Sequence, residues 1–154
     1  MAYMNFQGPT FTMETPTNWA ISASPQFQAI FLGPNDQTIR PNLAVSLRPI
    51  EAGVTYQAVA EGAKESQQAQ YPQYEVLEEL DYGKAGGFGL LRQYRWFSTD
   101  NNVSVVQKQV FFVVGQMLFT LTATRGDDLQ PETATEYDAT FDHMIQSFRI
   151  TDGG

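Results

Sequence analysis

Across residues 90–124 apolar, aromatic and uncharged polar positions alternate in three consecutive runs, LLRQYRWFSTDNNVSVVQKQVFFVVGQMLFTLTAT. Asp100-Asn101-Asn102 and Gly115-Gln116 interrupt them with turn chemistry, so the pattern predicts three antiparallel strands over 88–97, 103–114 and 117–123. In the last strand Met117, Phe119, Leu121 and Ala123 point one way, and Leu118, Thr120, Thr122 and Thr124 the other. One face is apolar and the other largely hydroxyl.

Upstream, Phe11 and Met13 alternate with Thr12 in a short strand that ends at Thr15-Pro16, where proline cannot donate a ladder hydrogen bond. Residues 19–22 and 27–32 read as strands broken at Ser24-Pro25, Gly33-Pro34-Asn35-Asp36 as a turn, and 43–47 as a further strand. Thr55 caps a predicted helix to about Gln70, with Tyr56, Val59, Ala60 and Ala63 on one face and Tyr71-Pro72 as its stop. Gly62 and the SQQAQ tail predict fraying at its C-terminal end. Residues 74–77 begin a strand, and Tyr82-Gly83-Lys84-Ala85-Gly86-Gly87 reads as its hairpin turn. A second helix follows from Thr133 and Glu136, spaced as a capping box, with Tyr137, Phe141, Met144, Ile145 and Phe148 along one face. Glu132, Glu136 and Asp138 near its start and Arg149 near its end complement the helix dipole.

The 154 residues show no linker or repeat and read as a single domain over 1–154. Charged residues are only 17% of a chain that is 42% hydrophobic, which argues for a folded protein with an uncharged polar surface. A net charge of −8 opposes attraction to phosphate, so nucleic acid is excluded as a partner. Without cysteine there is no thiolate chemistry, disulfide or iron–sulfur cluster. The N-terminal residues lack the basic start and apolar run of a signal peptide, so cytoplasmic residence is expected. The longest strongly apolar run, 110–114, is far short of the roughly 20 residues a spanning helix needs, so no direct membrane insertion is expected.

Candidate chemistry is sparse. His143, the single histidine, is expected to be solvated beside Asp142, and it belongs to no metal-ligand spacing. GKAGGFG at 83–89 lies between two strands, whereas phosphate cradles use a helix N-terminus. Glu75, Glu78, Glu79 and Asp81 suit an edge strand protected by charge, and Asp127-Asp128 is a weak calcium candidate. No nucleophile, metal or cofactor site emerges, and the chain reads as non-enzymatic. The candidate partner-binding face carries Arg92, Tyr94 and Trp96, continued on the next strand by Gln107 and Gln109. Rings and amides there can recognise a peptide or an apolar helix without burying a charge. The competing reading is that they pack beneath a helix or pair across strands.

The order of Pro16-Thr17-Asn18-Trp19, Gly53-Val54-Thr55, Tyr74-Glu75-Val76-Leu77, Gly86-Gly87, Arg92-Gln93-Tyr94-Arg95-Trp96, Gln109-Val110-Phe111, Thr120-Leu121-Thr122-Ala123-Thr124 and the closing helix FDHMIQSF spans nearly the whole chain. It resembles the DcrB-like domain family, related in fold to PsbP and the Mog proteins. The resemblance implies an α+β fold, an antiparallel sheet of about six to seven strands packed by two helices. It also implies a binding protein rather than an enzyme. Members without signal peptides include the Eag chaperones of contractile secretion systems, which hold apolar effector segments before export. The functional expectation is therefore a chaperone or adaptor, monomeric or homodimeric, for an effector with apolar helices or a membrane protein. The alternative is a scaffolding subunit of a larger assembly.

Overall fold

The alternating runs assemble into one large antiparallel sheet with a smaller sheet beside it. The computed structural model describes residues 1–84 and 86–151. Along them run β1 (Tyr3–Gln7), β2 (Phe11–Pro16), β3 (Ala20–Ser24), β4 (Phe27–Leu32), β5 (Asn42–Pro49), α1 (Tyr56–Gln70), β6 (Glu75–Lys84), β7 (Gly87–Ser98), β8 (Val103–Val114), β9 (Met117–Gly126), α2 (Pro131–Ser147) and β10 (Arg149–Ile150). The large sheet has seven strands in the order β3-β4-β5-β9-β8-β7-β6, and β1-β2-β10 form the three-stranded one. This is the expected α+β architecture with two helices.

Residues paired across neighbouring strands share a face, so the registers sort the sheet into two sides. The inner side carries Phe31, Leu43, Val45, Val110, Phe112 and Leu121, packed against Phe11 and Met13 of β2 and Phe141, Met144 and Ile145 of α2. The outer side carries a smaller cluster, Phe111 and Leu118 with Ile50, under Ala60 of α1. Arg125 at the end of β9 ties α2 to the sheet through two bonds to the Asp138 carboxylate, 2.7 and 3.1 Å long. The glycine run at the β6–β7 hairpin also has a packing role. A Cβ on Gly89 would lie 2.3 Å from the carbonyl oxygen of Phe111, so only glycine lets β7 pass there.

Several local expectations are corrected. β1 and β10 were not predicted, because Tyr3–Gln7 has an exposed or half-buried pattern without clean alternation and β10 is only two residues long. Tyr82–Gly87 is not all turn, since β6 runs to Lys84 and β7 starts at Gly87; Ala85 lies outside the described residues. The capping box is not formed: α2 begins at Pro131 with Gln130 as an N-cap that makes no side-chain bond. Proline wins that position because its fixed φ suits the first helical residue and its missing N–H loses nothing there. The C-terminal end of α1 does not fray, because Gln67 is buried and its carbonyl accepts from the Tyr71 N–H at 2.7 Å.

Phe148, where α2 ends, sits among the rings of Phe11, Phe112 and Phe119 at centroid distances of 5.5, 6.2 and 5.3 Å. It joins both sheets and the helix in one aromatic cluster. Phe148→Ala is expected to cost about 3–5 kcal/mol, read as a lower urea midpoint for unfolding.

Candidate functional site

Arg92, Tyr94 and Trp96 stand on the outer side of β7, with Gln109 opposite Arg92 and Gln107 opposite Tyr94 on β8. The sequence pattern brings the five together as expected. They do not form an open surface, however, because α1 packs over β7 and β8. Arg92 and Tyr94 are 2% and 1% exposed, while Trp96, Gln107 and Gln109 are half-buried.

Burying a guanidinium demands partners, and Arg92 has them. Its Nη1 donates to the Ala60 carbonyl of α1 and its Nε to Glu79 Oε1, both at 2.8 Å. Beside it, Gln67 Nε2 donates to Gln109 Oε1 at 3.0 Å, and the Tyr74 hydroxyl donates to Gln67 Oε1 at 2.9 Å. Gln109 Nε2 then donates to Thr122 Oγ1 at 3.0 Å. A parallel chain starts at Trp96, stacked on Tyr71 at 4.2 Å, whose Nε1 donates to Gln107 Oε1 at 2.8 Å. Gln107 Nε2 passes the relay to Thr124 Oγ1 at 3.0 Å. These amides seal a polar layer between helix and sheet. Burial, reinforced by Tyr71 and Tyr74, drives the Tyr94 phenol far above its ordinary 10.0.

Gln67 is the residue that sequence reasoning missed. It occupies the next turn of the stripe Tyr56, Ala60, Ala63, so its position at that spacing was the available signal. Its polarity concealed it.

The same sheet side continues past α1 with no helix above it among the described residues. Gln109 pairs with Thr122, Thr122 with Ala44 and Ala44 with Ile30; one row along, Gln107, Thr124, Asn42 and Leu32 line up likewise. Ser46 and Thr120 complete a third row. All these side chains are half-buried and mostly small. Strands lie about 4.8 Å apart, so the four from β3 to β9 give a shelf roughly 14 Å across, wide enough for one helix of about 10 Å diameter. Its boundary with the covered half is the pair Gln107 and Gln109.

Elsewhere, His143 is not simply solvated. Its Nε2 lies 2.9 Å from Glu14 Oε1 and its ring stacks on Tyr3 at 3.7 Å, which fastens α2 to the small sheet. Asp127 is held by Arg95 at 3.3 Å and Arg125 at 3.6 Å, which competes with any calcium there. Among the described residues no group of three or more His, Cys, Asp or Glu converges on a metal position.

The seven-stranded antiparallel sheet with its two helices is a fold shared with PsbP and Mog1p. The DcrB family matches residues 12–143, and the chain belongs to that family. Its fold is similar to cyanobacterial PsbP from Synechocystis (TM-score 0.67, 17% identity, covering 97% of this chain and 93% of that one). It is also similar to LpqN, involved in cell envelope biogenesis of Mycobacterium tuberculosis (0.65, 12%, 97% and 91%). A third similar structure is the Ran-binding protein Mog1p of Saccharomyces cerevisiae (0.63, 11%, 99% and 97%). Among functionally curated proteins none matches the sequence significantly.

Two outcomes test the polar layer. Gln67→Ala strands Tyr74 and Gln109 and is expected to destabilise by about 1–3 kcal/mol in urea unfolding. Because the folded state raises the Tyr94 phenol, its contribution is complete below pH 10.0 and fades as pH climbs above that, where the unfolded chain ionises first. Alkaline melts should show this decline, to which the raised Tyr74, Tyr82 and Tyr137 also contribute, and Tyr94→Phe should lessen it.

Proposed function

We propose that the protein is a non-catalytic chaperone or adaptor that shields an apolar helical segment of an exported effector or a membrane protein. The guest has to be met before it crosses a membrane, so this work is done in the cytoplasm. The observation that carries the reading is the helix-wide shelf over β3, β4, β5 and β9, floored by Ile30, Ala44, Ser46, Thr120 and Thr122. Small side chains let a guest backbone come close, and hydroxyls satisfy scattered polar groups on it without the cost of burying a charge. The edge of α1 and the amides of Gln107 and Gln109 supply one wall. Within the same fold, a protein that binds Ran shows the scaffold used for a protein partner, and family membership supports the reading.

The candidate residues take a different part from direct contact. Arg92 and Tyr94 hold α1 in place and so define the wall, while Gln107 and Gln109 reach the shelf itself. Glutamate at Tyr94 would therefore unfold the protein rather than test its binding.

Ala44→Arg is the informative variant, since it fills the middle of the shelf without removing a hydrogen bond. With a fluorescent synthetic leucine–alanine helical peptide as guest, anisotropy is expected to show binding by the wild type. Ala44→Arg should weaken that binding at least about tenfold, with the melting temperature nearly unchanged. Equal binding by both proteins, or none by the wild type, would sink the proposal.

A further inference from the structure

The two edges of the large sheet, β3 and β6, are not alike. β3 has five residues, loses register between Ser22 and Ser24 and is followed by Pro25. Shortness and proline blunt the β3 edge along its whole length, whereas the bulge of β6 lies at its start and its acidic run repels like edges while leaving it open to a basic strand. β6 has ten residues and, after its irregularity at Leu77, keeps unbroken register with β7 from Glu78 to Lys84. Among the described residues no strand pairs with its outer side. Leu80, in the middle of that run, is 52% exposed.

Charge distinguishes this edge further. Glu75 and Glu79 are neutralised from β7 by Arg95 and Arg92, at 3.1 and 2.8 Å. Glu78 and Asp81 have no ion-pair partner among the described residues. The register places them on opposite sides, Glu78 with Gln93 on the inner side and Asp81 with Leu90 on the outer. Each side also has a hollow against the strand. The inner one, about 340 Å³, is lined by Glu78, Leu80, Leu91 and Ile145, with Lys108 at its floor already paired to Asp142 and so leaving Glu78 uncompensated. An outer one, about 150 Å³, is lined by Tyr56, Asp81, Gly83 and Phe88.

We propose that β6 is a docking edge for an extended basic segment of a partner protein, which adds to the sheet as an antiparallel strand. Main-chain bonds to the open edge hold such a guest, and hollows on alternating sides select its side chains. Directly opposite residues share a side, so the guest carries Lys or Arg opposite both Glu78 and Asp81 and an aliphatic residue opposite Leu80. Opposite Gly83 it carries an aromatic ring, which packs beside Phe88 in the space the glycine leaves. A second copy of this chain is the wrong guest, because β6 against β6 would bring uncompensated carboxylates together. This edge lies at the far side of α1 from the shelf, so the two sites are independent.

The test is an amide NMR titration with the capped peptide Phe-Thr-Lys-Leu-Thr-Lys. Expected are shifts and slowed hydrogen exchange concentrated at residues 78–84, lost in high salt. Replacing both peptide lysines by glutamate, or the Glu78→Lys, Asp81→Lys double variant, should weaken binding about tenfold or more. Both substituted side chains are exposed, and unchanged circular dichroism would confirm that the variant folds. Ala44→Arg should bind the peptide like the wild type. The proposal is overturned by perturbation centred elsewhere, by equal binding of a backbone N-methylated peptide, by equal binding of the glutamate peptide, or by no detectable binding.

Discussion

A sheet this wide has two faces to keep from water and, among the described residues, two helices with which to do it. That constraint organises the molecule. The inner face is the more apolar, and it takes α2 together with the whole of the small sheet, closing around Phe148. The outer face is left with α1, whose stripe of Tyr56, Val59, Ala60 and Ala63 is thin and spans two strands. Half of that face stays without a helix, and evolution has given it threonine, serine and alanine rather than leucine.

The join between the covered and open halves is chemically distinctive. A helix with few large apolar side chains offers modest hydrophobic burial, so its position is fixed by directional bonds instead. Arg92 reaches a main-chain carbonyl of α1, and Gln67 reaches back to Gln109 and Tyr74. Such a network tolerates one geometry and penalises others, which suits an element that must present a definite wall. The inner side adds close packing of large apolar side chains to directional bonds of its own, among them Tyr82 to the Ile145 carbonyl at 2.8 Å and Arg125 to the Asp138 carboxylate.

How far this was legible in the sequence depended on periodicity. The meander from β7 to β9 was plain because each strand alternates and each turn is marked, at Asn102 and Gly115 by residues that adopt positive φ. The pairing of Arg92, Tyr94 and Trp96 with Gln107 and Gln109 followed from the same alternation. What alternation cannot say is which face a helix will lie on, so these residues read equally as a surface or as a buried layer. Gln67 escaped because polar residues on a helical stripe look like a weakening of the stripe. β1 and β10 escaped because edge pairing by main-chain bonds leaves little trace in side-chain pattern. The start of α2 was misplaced because two local signals competed, and the proline prevailed over the threonine–glutamate spacing.

β2 receives its two neighbours from opposite ends of the described chain: β1 precedes it by a short turn, while β10 arrives after every other element, with the Thr151 N–H reaching the Thr10 carbonyl at 3.1 Å. Such distant pairing makes closure a late event in folding. On the ribosome, Phe11 and Met13 are synthesised early but wait for Phe148 and the strand after it before their surroundings are complete. Until that strand emerges the polypeptide is thus an unfinished apolar surface, itself in need of shelter.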